Sequence, residues 1–204
     1  MRELIIASNN EGKIQEIKEI LKEFEFNIKS LKEANIFIDV EETGKTFAEN
    51  AYIKAKAIYD MTNECAVLAD DSGLEVDYLS GEPGVLSARY AGEHGNDEKN
   101  NMKLIENMKG VPEELRTAKF LCHMVLILEN GQVLESEGQV LGKILKELRG
   151  QGGFGYDPLF YVEKYGKTFA EFTLEEKDEI SHRGRALEGL KKALKEYHEN
   201  YIVK

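Results

Sequence analysis

The stretch Cys65-Ala66-Val67-Leu68-Ala69-Asp70-Asp71-Ser72-Gly73 decides how the rest of the chain is interpreted. Its apolar first half predicts a short buried strand, and Ser72-Gly73 predicts a turn directly after it. Two adjacent carboxylates, Asp70 and Asp71, therefore stand at the end of a buried strand. Because burying a carboxylate is costly unless a cation or hydrogen-bond donors meet it, the pair indicates a functional site. The alternative is an ordinary turn in which Asp or Ser hydrogen-bonds its own backbone.

A strand, a polar turn and a helix are predicted at the start of the chain. Leu4–Ala7 is a short apolar run, and apolar residues then recur at helical spacing from Ile14 to Phe24. The polar turn 8–13 between them would present a helix N-terminus, with Lys13 beside it, to an anion. The turn lacks the glycine spacing of a P-loop, so alone it is a weak phosphate signal.

A second helix is predicted to begin at a capping box, Thr46-Phe-Ala-Glu49, after the acidic loop 39–44. Lys54 lies at the border of its apolar stripe, where an ammonium group can reach out from packed surface. The acidic loop, which contains Glu42, is either solvated or half of a metal site.

Two further clusters lie in the second half of the chain. The segment 150–158 concentrates glycines around Phe154 and Tyr156, which favours a loop that binds a planar ring; a merely flexible loop is the alternative. Ser181 can cap the last helix, so His182 and Arg183 fall in its first turn. Cations oppose the helix dipole there, and such a local violation is typical of a ligand site.

The order of elements predicts one α/β domain over residues 1–204. Strands and helices alternate early, an Asn130-Gly131 turn joins two strands of a hairpin over 117–140, and helices close the chain. We expect an elongated mixed β-sheet with flanking helices, and two lobes around a central groove without a linker.

Composition narrows the classes of function. The 204 residues contain 38 acids and 27 Lys or Arg, a net charge of -11, which argues against a nucleic-acid binder. No stretch approaches a membrane span, and residues 1–7 are too short for a secretory signal, so we expect a soluble cytoplasmic protein. Cys65 and Cys122 lie in apolar runs and are interpreted as buried free thiols.

Acids surrounded by Lys and Arg suit phosphoryl transfer, in which positioning and charge neutralisation dominate. Oxygen ligands without Cys or His clusters favour Mg²⁺, with Mn²⁺ as a substitute, over zinc. The aromatic loop suggests a nucleotide as the phosphate carrier.

Six segments in order resemble the inosine triphosphate pyrophosphatase family, the XTP/dITP diphosphatases. These segments are SNNEGK at 8–13, EETGKTFAENAYIKA at 41–55, ADDSGLEVDYLSGEPGVLSARYAG at 69–92, RTAKFLC at 116–122, GQGGFGYDPLF at 150–160 and EEKDEISHRGRAL at 175–187. The resemblance implies hydrolysis of deaminated purine nucleoside triphosphates to the monophosphate and pyrophosphate. It also implies the nucleotide-binding fold of that family and a homodimer.

The resemblance assigns roles residue by residue. It implies that Glu42 and Asp71 hold Mg²⁺ and that Asp71 is also the general base. Lys13 and Lys54 would contact the phosphates. The residues implied to bind substrate are Ser8, Asn9, Asn10, Glu11, Gly12, Lys13, Lys54, Ser72, Phe154, Gly155, Tyr156, Asp157, Lys177, His182 and Arg183.

A physical reading of specificity follows from Arg183. Its guanidinium has donors and no acceptor, so it can pair with the 6-oxo group of hypoxanthine or xanthine and not with the amino group of adenine. Guanine also carries a 6-oxo group, so Arg183 cannot exclude it. Two rival functions stay open at this point: a non-catalytic nucleotide sensor, and a phosphatase that acts on monophosphates or sugar phosphates.

Overall fold

The computed structural model describes residues 2–9, 11–24, 26–62 and 65–201. They form seven strands, which are β1 Arg2–Ile6, β2 Phe26–Ser30, β3 Ala66–Val76, β4 Thr117–Ile127, β5 Val133–Ile144, β6 Phe160–Val162 and β7 Lys167–Thr168. They also form five α-helices, which are α1 Glu11–Ile20, α2 Phe47–Tyr59, α3 Asp97–Asn107, α4 Leu174–Ile180 and α5 His182–Tyr201. Short 3-10 turns cover Leu21–Glu23, Asp77–Leu79, Gly84–Arg89, Glu113–Leu115 and Phe169–Glu171.

The strands form one mixed sheet in the order β2-β1-β3-β4-β5-β6-β7. β1 pairs in parallel with both β2 and β3, whereas β5, β6 and β7 pair antiparallel. β4 and β5 are neighbours joined by the turn at Gly131, which has φ +80°. A mixed sheet with flanking helices confirms the predicted fold class.

β3 corrects one prediction. Asp70, Asp71, Ser72 and Gly73 form no turn; they continue the strand, which runs through all eleven residues from Ala66 to Val76. Neither Ser72 nor Gly73 has positive φ. Since successive side chains of a strand point to opposite faces, the extended backbone sends the two carboxylates to opposite sides of the sheet.

The described chain falls into two compact units. Unit 1 comprises 1–71, 122–138 and 185–204, and unit 2 comprises 72–121 and 139–184. The core of unit 1 has two buried clusters, one containing Leu4 and Leu68 and the other containing Val67 and Ile58 of α2. The core of unit 2 is more aromatic and includes Phe120, Phe160 and Phe169.

Three local predictions can be checked directly. α2 begins at the N-cap Thr46, whose hydroxyl accepts the Glu49 N–H, while the Glu49 carboxylate accepts the N–H of Lys45, one residue before the cap. Cys122 is buried and free, as predicted, whereas the free Cys65 is half-buried. No helix within the described ranges is long and apolar enough to cross a membrane.

Candidate active site

Most of the residues predicted from the sequence lie in two clusters, one in each unit, and Asn50 joins the first of them. The acidic cluster of unit 1 contains Lys13, Glu42, Asn50, Lys54, Asp70 and Asp71. The aromatic cluster of unit 2 contains Ser72, Phe154, Tyr156, Asp157, Lys177, His182 and Arg183.

The two neighbouring aspartates have different partners in the acidic cluster. The Asp70 carboxylate accepts a hydrogen bond from Lys13 Nζ at 2.8 Å and is 1% exposed. The Asp71 carboxylate accepts one from Asn50 Nδ2, on α2, at 3.0 Å. Because side chains alternate along β3, the Asp70 carboxylate bonds to Lys13 of α1 and the Asp71 carboxylate bonds to Asn50 of α2.

Lys54 joins the acidic loop to β3. Its ammonium lies 2.6 Å from the Glu42 carboxylate and donates to the backbone carbonyl of Asp70 at 3.0 Å. Burial lowers the pKa of Lys54, but attraction to Asp70, Glu42 and Asp71 outweighs burial, so the pKa is raised above its ordinary value. Lys54 is therefore a firmly charged cation among three carboxylates.

Asp71 is the titratable group of this cluster that is tuned toward neutral pH. Burial raises its pKa from the ordinary 3.8 to about 6. Lys54 opposes this rise, the negative charge of Glu42 adds to it, and the hydrogen bond from Asn50 and the charge of Lys13 reduce it. A carboxylate with this pKa is mostly ionised at pH 7 and is a stronger base than an ordinary aspartate.

Asn50 is a member of the cluster that sequence reasoning missed. It is fully buried, donates to Asp71, and accepts the Gly44 N–H on Oδ1 at 2.7 Å. A single amide thus fixes both the carboxylate of β3 and the end of the acidic loop. The available signal was a polar residue inside the apolar stripe of α2, one helical turn before Lys54.

The N-terminal turn is described in part. Ser8 is half-buried, Asn9 is exposed, and Glu11 and Gly12 open α1. Asn10 lies outside the described residues. From this segment Lys13 reaches the acidic cluster, through its bond to Asp70.

The aromatic cluster is built around Asp157. Its Oδ2 accepts from Lys177 Nζ at 2.5 Å and from the Phe154 N–H at 2.9 Å, and the carboxylate is 3% exposed. Burial raises the pKa of Asp157 above its ordinary value, and Lys177, the Phe154 N–H and Arg183 work against that rise. Gly153, with φ +74°, is required beside it, because a Cβ there would overlap the Asp157 carboxylate.

Two cations lie against the ring of Phe154. Lys177 Nζ is 4.5 Å and Arg183 Cζ is 5.8 Å from the ring centroid. Arg183 is 2% exposed and donates through Nη2 to Ser72 Oγ at 3.3 Å. The Phe154 ring itself is 41% exposed, so an aromatic surface backed by cations is open to a ligand.

Tyr156 and His182 are packed inside unit 2. The Tyr156 hydroxyl donates to the Ser87 carbonyl at 2.8 Å, and burial raises its pKa. His182 is 5% exposed and stacks on Phe120 with 4.8 Å between ring centroids. Both side chains pack against other residues of unit 2 and so support the cluster. That they contact substrate stays a prediction.

The donors for a metal ion are few. Within the described ranges no group of three or more His, Cys, Asp or Glu side chains is placed to hold one. Glu42 and Asp71 offer two carboxylates that interact electrostatically. That donor set suits Mg²⁺, which is usually bound by one or two carboxylates together with substrate phosphates.

Known proteins resemble this chain over nearly its whole length. The model of the Ham1 family matches residues 4–193. A Clostridium perfringens protein named dITP/XTP pyrophosphatase is 58% identical over 200 residues, covering 96% of this chain and 98% of its own. A Bacillus subtilis protein of the same name is 48% identical over 194 residues, covering 95% and 98%. The solved Staphylococcus aureus Ham1 protein has a TM-score of 0.87 at 42% identity, covering 96% of this chain and 99% of its own.

Proposed function

The chain belongs to the Ham1 family, and we propose that it hydrolyses dITP, ITP, XTP and dXTP to the nucleoside monophosphate and pyrophosphate. Such an activity would clear deaminated purines from the nucleotide pool. The observation that carries the proposal is the lysine–carboxylate cluster around Asp71, in a chain that aligns over nearly its full length with proteins named for this activity.

Asp71 is the proposed general base for attack of water on the α-phosphorus. Its raised pKa supports the role, because it makes the carboxylate better able to take the proton of water and still leaves it ionised at neutral pH. The bond from Asn50 holds the Asp71 carboxylate in place on β3. Asp70, which is bonded to Lys13, is proposed to hold that lysine in place.

Glu42 and Asp71 are the proposed ligands of Mg²⁺, with Mn²⁺ as a substitute. When bound, the ion would neutralise the triphosphate and stabilise the leaving pyrophosphate. Lys13 and Lys54 would contact the same phosphates, since the ion pair of Lys13 with Asp70 and the bond from Lys54 to the Asp70 carbonyl hold both ammonium groups close to β3.

The aromatic cluster is the proposed site of the base and sugar. Phe154 would stack on the purine, with Arg183 pairing to its 6-oxo group. Ser72, Gly155 and Asp157 would complete this side, and Lys177 holds Asp157 against the loop. We further propose a cytoplasmic homodimer, supported by the family resemblance and by where nucleotide pools lie. Size-exclusion chromatography with light scattering tests the dimer.

The product of the reaction tests the function. Incubated with dITP and Mg²⁺, the protein is expected to release pyrophosphate and dIMP. Anion-exchange chromatography measures both products. Release of orthophosphate would instead support the phosphatase, and binding without turnover would support the sensor. Asp71→Asn is expected to abolish turnover with an unchanged circular dichroism spectrum; wild-type activity in that variant would move the base elsewhere.

A further inference from the structure

The loop that carries Phe154 is tied at one peptide to the first turn of α3. The Gly155 N–H donates to the Asp97 carboxylate at 2.6 Å, and the Gly155 carbonyl accepts from Asn101 Nδ2 at 2.8 Å. Both backbone groups of one residue are therefore held by side chains from outside the loop. Since Asp97 and Asn101 are four residues apart in a helix, they lie on the same face and can grip one peptide together.

This grip sets the position of Phe154. Gly155 has φ +60°, the left-handed region that a glycine adopts without strain. The backbone N–H of Phe154 itself donates to Asp157 Oδ2 at 2.9 Å. The N–H of Phe154 is thus bonded to Asp157, and the next peptide, at Gly155, is bonded to α3. These bonds restrict the backbone that carries the ring.

Asn101 keeps this contact at a cost. It is 5% exposed, and its buried Oδ1 has no hydrogen-bond partner among the residues that the structure describes. A buried acceptor without a partner destabilises the fold, and an apolar residue at this position would avoid that penalty. The amide also donates to the Asp97 carbonyl at 2.8 Å, so Nδ2 links the helix to the loop. An amide that breaks a packing rule but holds a binding loop is typical of a site under functional constraint.

We propose that Asp97 and Asn101 are positioning residues that fix Phe154 for stacking on the purine base. The inference rests on the proposed function of the aromatic cluster. Neither residue touches the nucleotide; each acts through the Gly155 peptide. Loss of either contact loosens the loop and weakens recognition of the base, while the acidic cluster, which acts on the phosphates, keeps its chemistry.

Two pairs of variants test the proposal. Asp97→Ala is paired with Glu98→Ala, which removes the same exposed charge from the first turn of α3 without a bond to the loop. Asn101→Ala is paired with Asn100→Ala, a buried amide of the same helix that binds Ala88 and Ala91. Because Asp97 is exposed, its variant is expected to fold even where Asn101→Ala does not.

The expected result separates positioning from a structural role. Asp97→Ala and Asn101→Ala should raise KM for dITP about tenfold, with kcat within about threefold of wild type. Their inhibition by tripolyphosphate, which carries phosphates and no base, should not change. Amide hydrogen exchange in segment 150–158 of the nucleotide-free protein should accelerate, and the two control variants should show none of these effects.

The proposal is overturned if exchange in segment 150–158 is unchanged, if tripolyphosphate inhibition weakens as much as dITP use, or if the controls behave like their partners. The proposed function fails separately, when the wild-type protein releases no pyrophosphate from dITP. In that case hydrogen exchange and the calorimetric affinity for dIMP decide whether α3 positions Phe154.

Discussion

At the scale of single residues, Asp71 should make the stability of the metal-free protein depend on pH. Its pKa in the folded chain is about 6, against an ordinary 3.8. A raised pKa means that the stability contributed by the protonated group is fully present below pH 3.8 and is lost as the pH rises through 6. At pH 8 the buried carboxylate should therefore destabilise the fold, by up to about 3 kcal/mol.

Asp71→Asn should remove this dependence. In urea unfolding with a chelator present, we expect the variant to be more stable than wild type at pH 8 by up to about 3 kcal/mol and similar to it near pH 4. Comparing the two proteins at each pH cancels the titration of groups that do not interact with Asp71. An equal difference at both values would contradict the raised pKa.

Asn50 should matter through Asp71 and the acidic loop. Asn50→Leu keeps the size of the side chain but removes the donor to Asp71 and the acceptor for Gly44. We expect kcat for dITP to fall about tenfold to a hundredfold. Because the Asn50 hydrogen bond lowers the pKa of Asp71, its loss should also move the acidic limb of the kcat–pH profile to higher pH.

A loss of activity with an unshifted profile would mean that Asn50 is only structural. Asn100→Leu, a buried asparagine of α3 with no bond to the acidic cluster, is the matched control for the loss of a buried amide. Its profile should coincide with that of wild type.

At the scale of elements, the loop 150–158 depends on Gly153. A Cβ at this position would overlap the Asp157 carboxylate. The backbone there has φ +74°, which residues other than glycine adopt only with strain. Gly153→Ala should displace Asp157 from Lys177 and the Phe154 N–H, and so raise KM for dITP with little change in kcat. Gly166→Ala imposes a similar φ, +67°, with only Tyr161 Oη nearby at 3.8 Å.

Each glycine variant should lose about 1–2 kcal/mol of stability from the left-handed backbone alone, and Gly153→Ala should lose more because it also displaces the buried Asp157. Only Gly153→Ala should change KM, measured by initial rates at 25 °C. Equal kinetics in the two variants would show that Asp157 does not organise the loop.

Much of the fold could be predicted from local pattern. An apolar run predicted β1, the Asn130-Gly131 turn predicted the hairpin of β4 and β5, helical spacing predicted α1, and a cap placed the start of α2. β2, Phe26–Ser30, alternates apolar and polar residues, a strand signal that the prediction did not use, while β6 and β7 have only three and two residues, too few to show a period. Ser72-Gly73 suggested a turn because those residues favour one, and pairing within the sheet overrode that preference.

The site could be predicted only where residue chemistry was visible. Charged residues such as Lys13, Lys54 and Asp71 were found because charge in or beside apolar sequence is conspicuous. Asn50, Asp97 and Asn101 were missed because each acts through one hydrogen bond to a residue that is 21 to 58 positions away. Such contacts are created by the tertiary fold, and of these three residues Asn50 alone left a local signal, as a polar residue inside the apolar stripe of α2.

At the scale of the whole molecule, charge opposes the proposed substrate. With a net charge of -11 the chain repels a triphosphate on average, so local attraction is expected from Lys13, Lys54 and the proposed metal ion. Glu42 already faces Lys54, and two carboxylates alone make a weak site for Mg²⁺. Metal and nucleotide should therefore bind together, each increasing the affinity for the other by the same factor.

Calorimetry with a non-hydrolysable dITP analogue can measure this coupling. We expect the affinity for the analogue to fall about tenfold to a hundredfold when EDTA replaces Mg²⁺, because the coupling between two ligands is typically 1–3 kcal/mol. Inosine, which has the base and no phosphates, should bind equally with and without the metal. Glu42→Gln should reduce the coupling for the analogue and leave inosine unaffected. If the affinity for the analogue is the same with EDTA as with Mg²⁺, the metal has no part in the proposed binding of substrate. If the affinity for inosine falls as much as that for the analogue, the ion lies near the base.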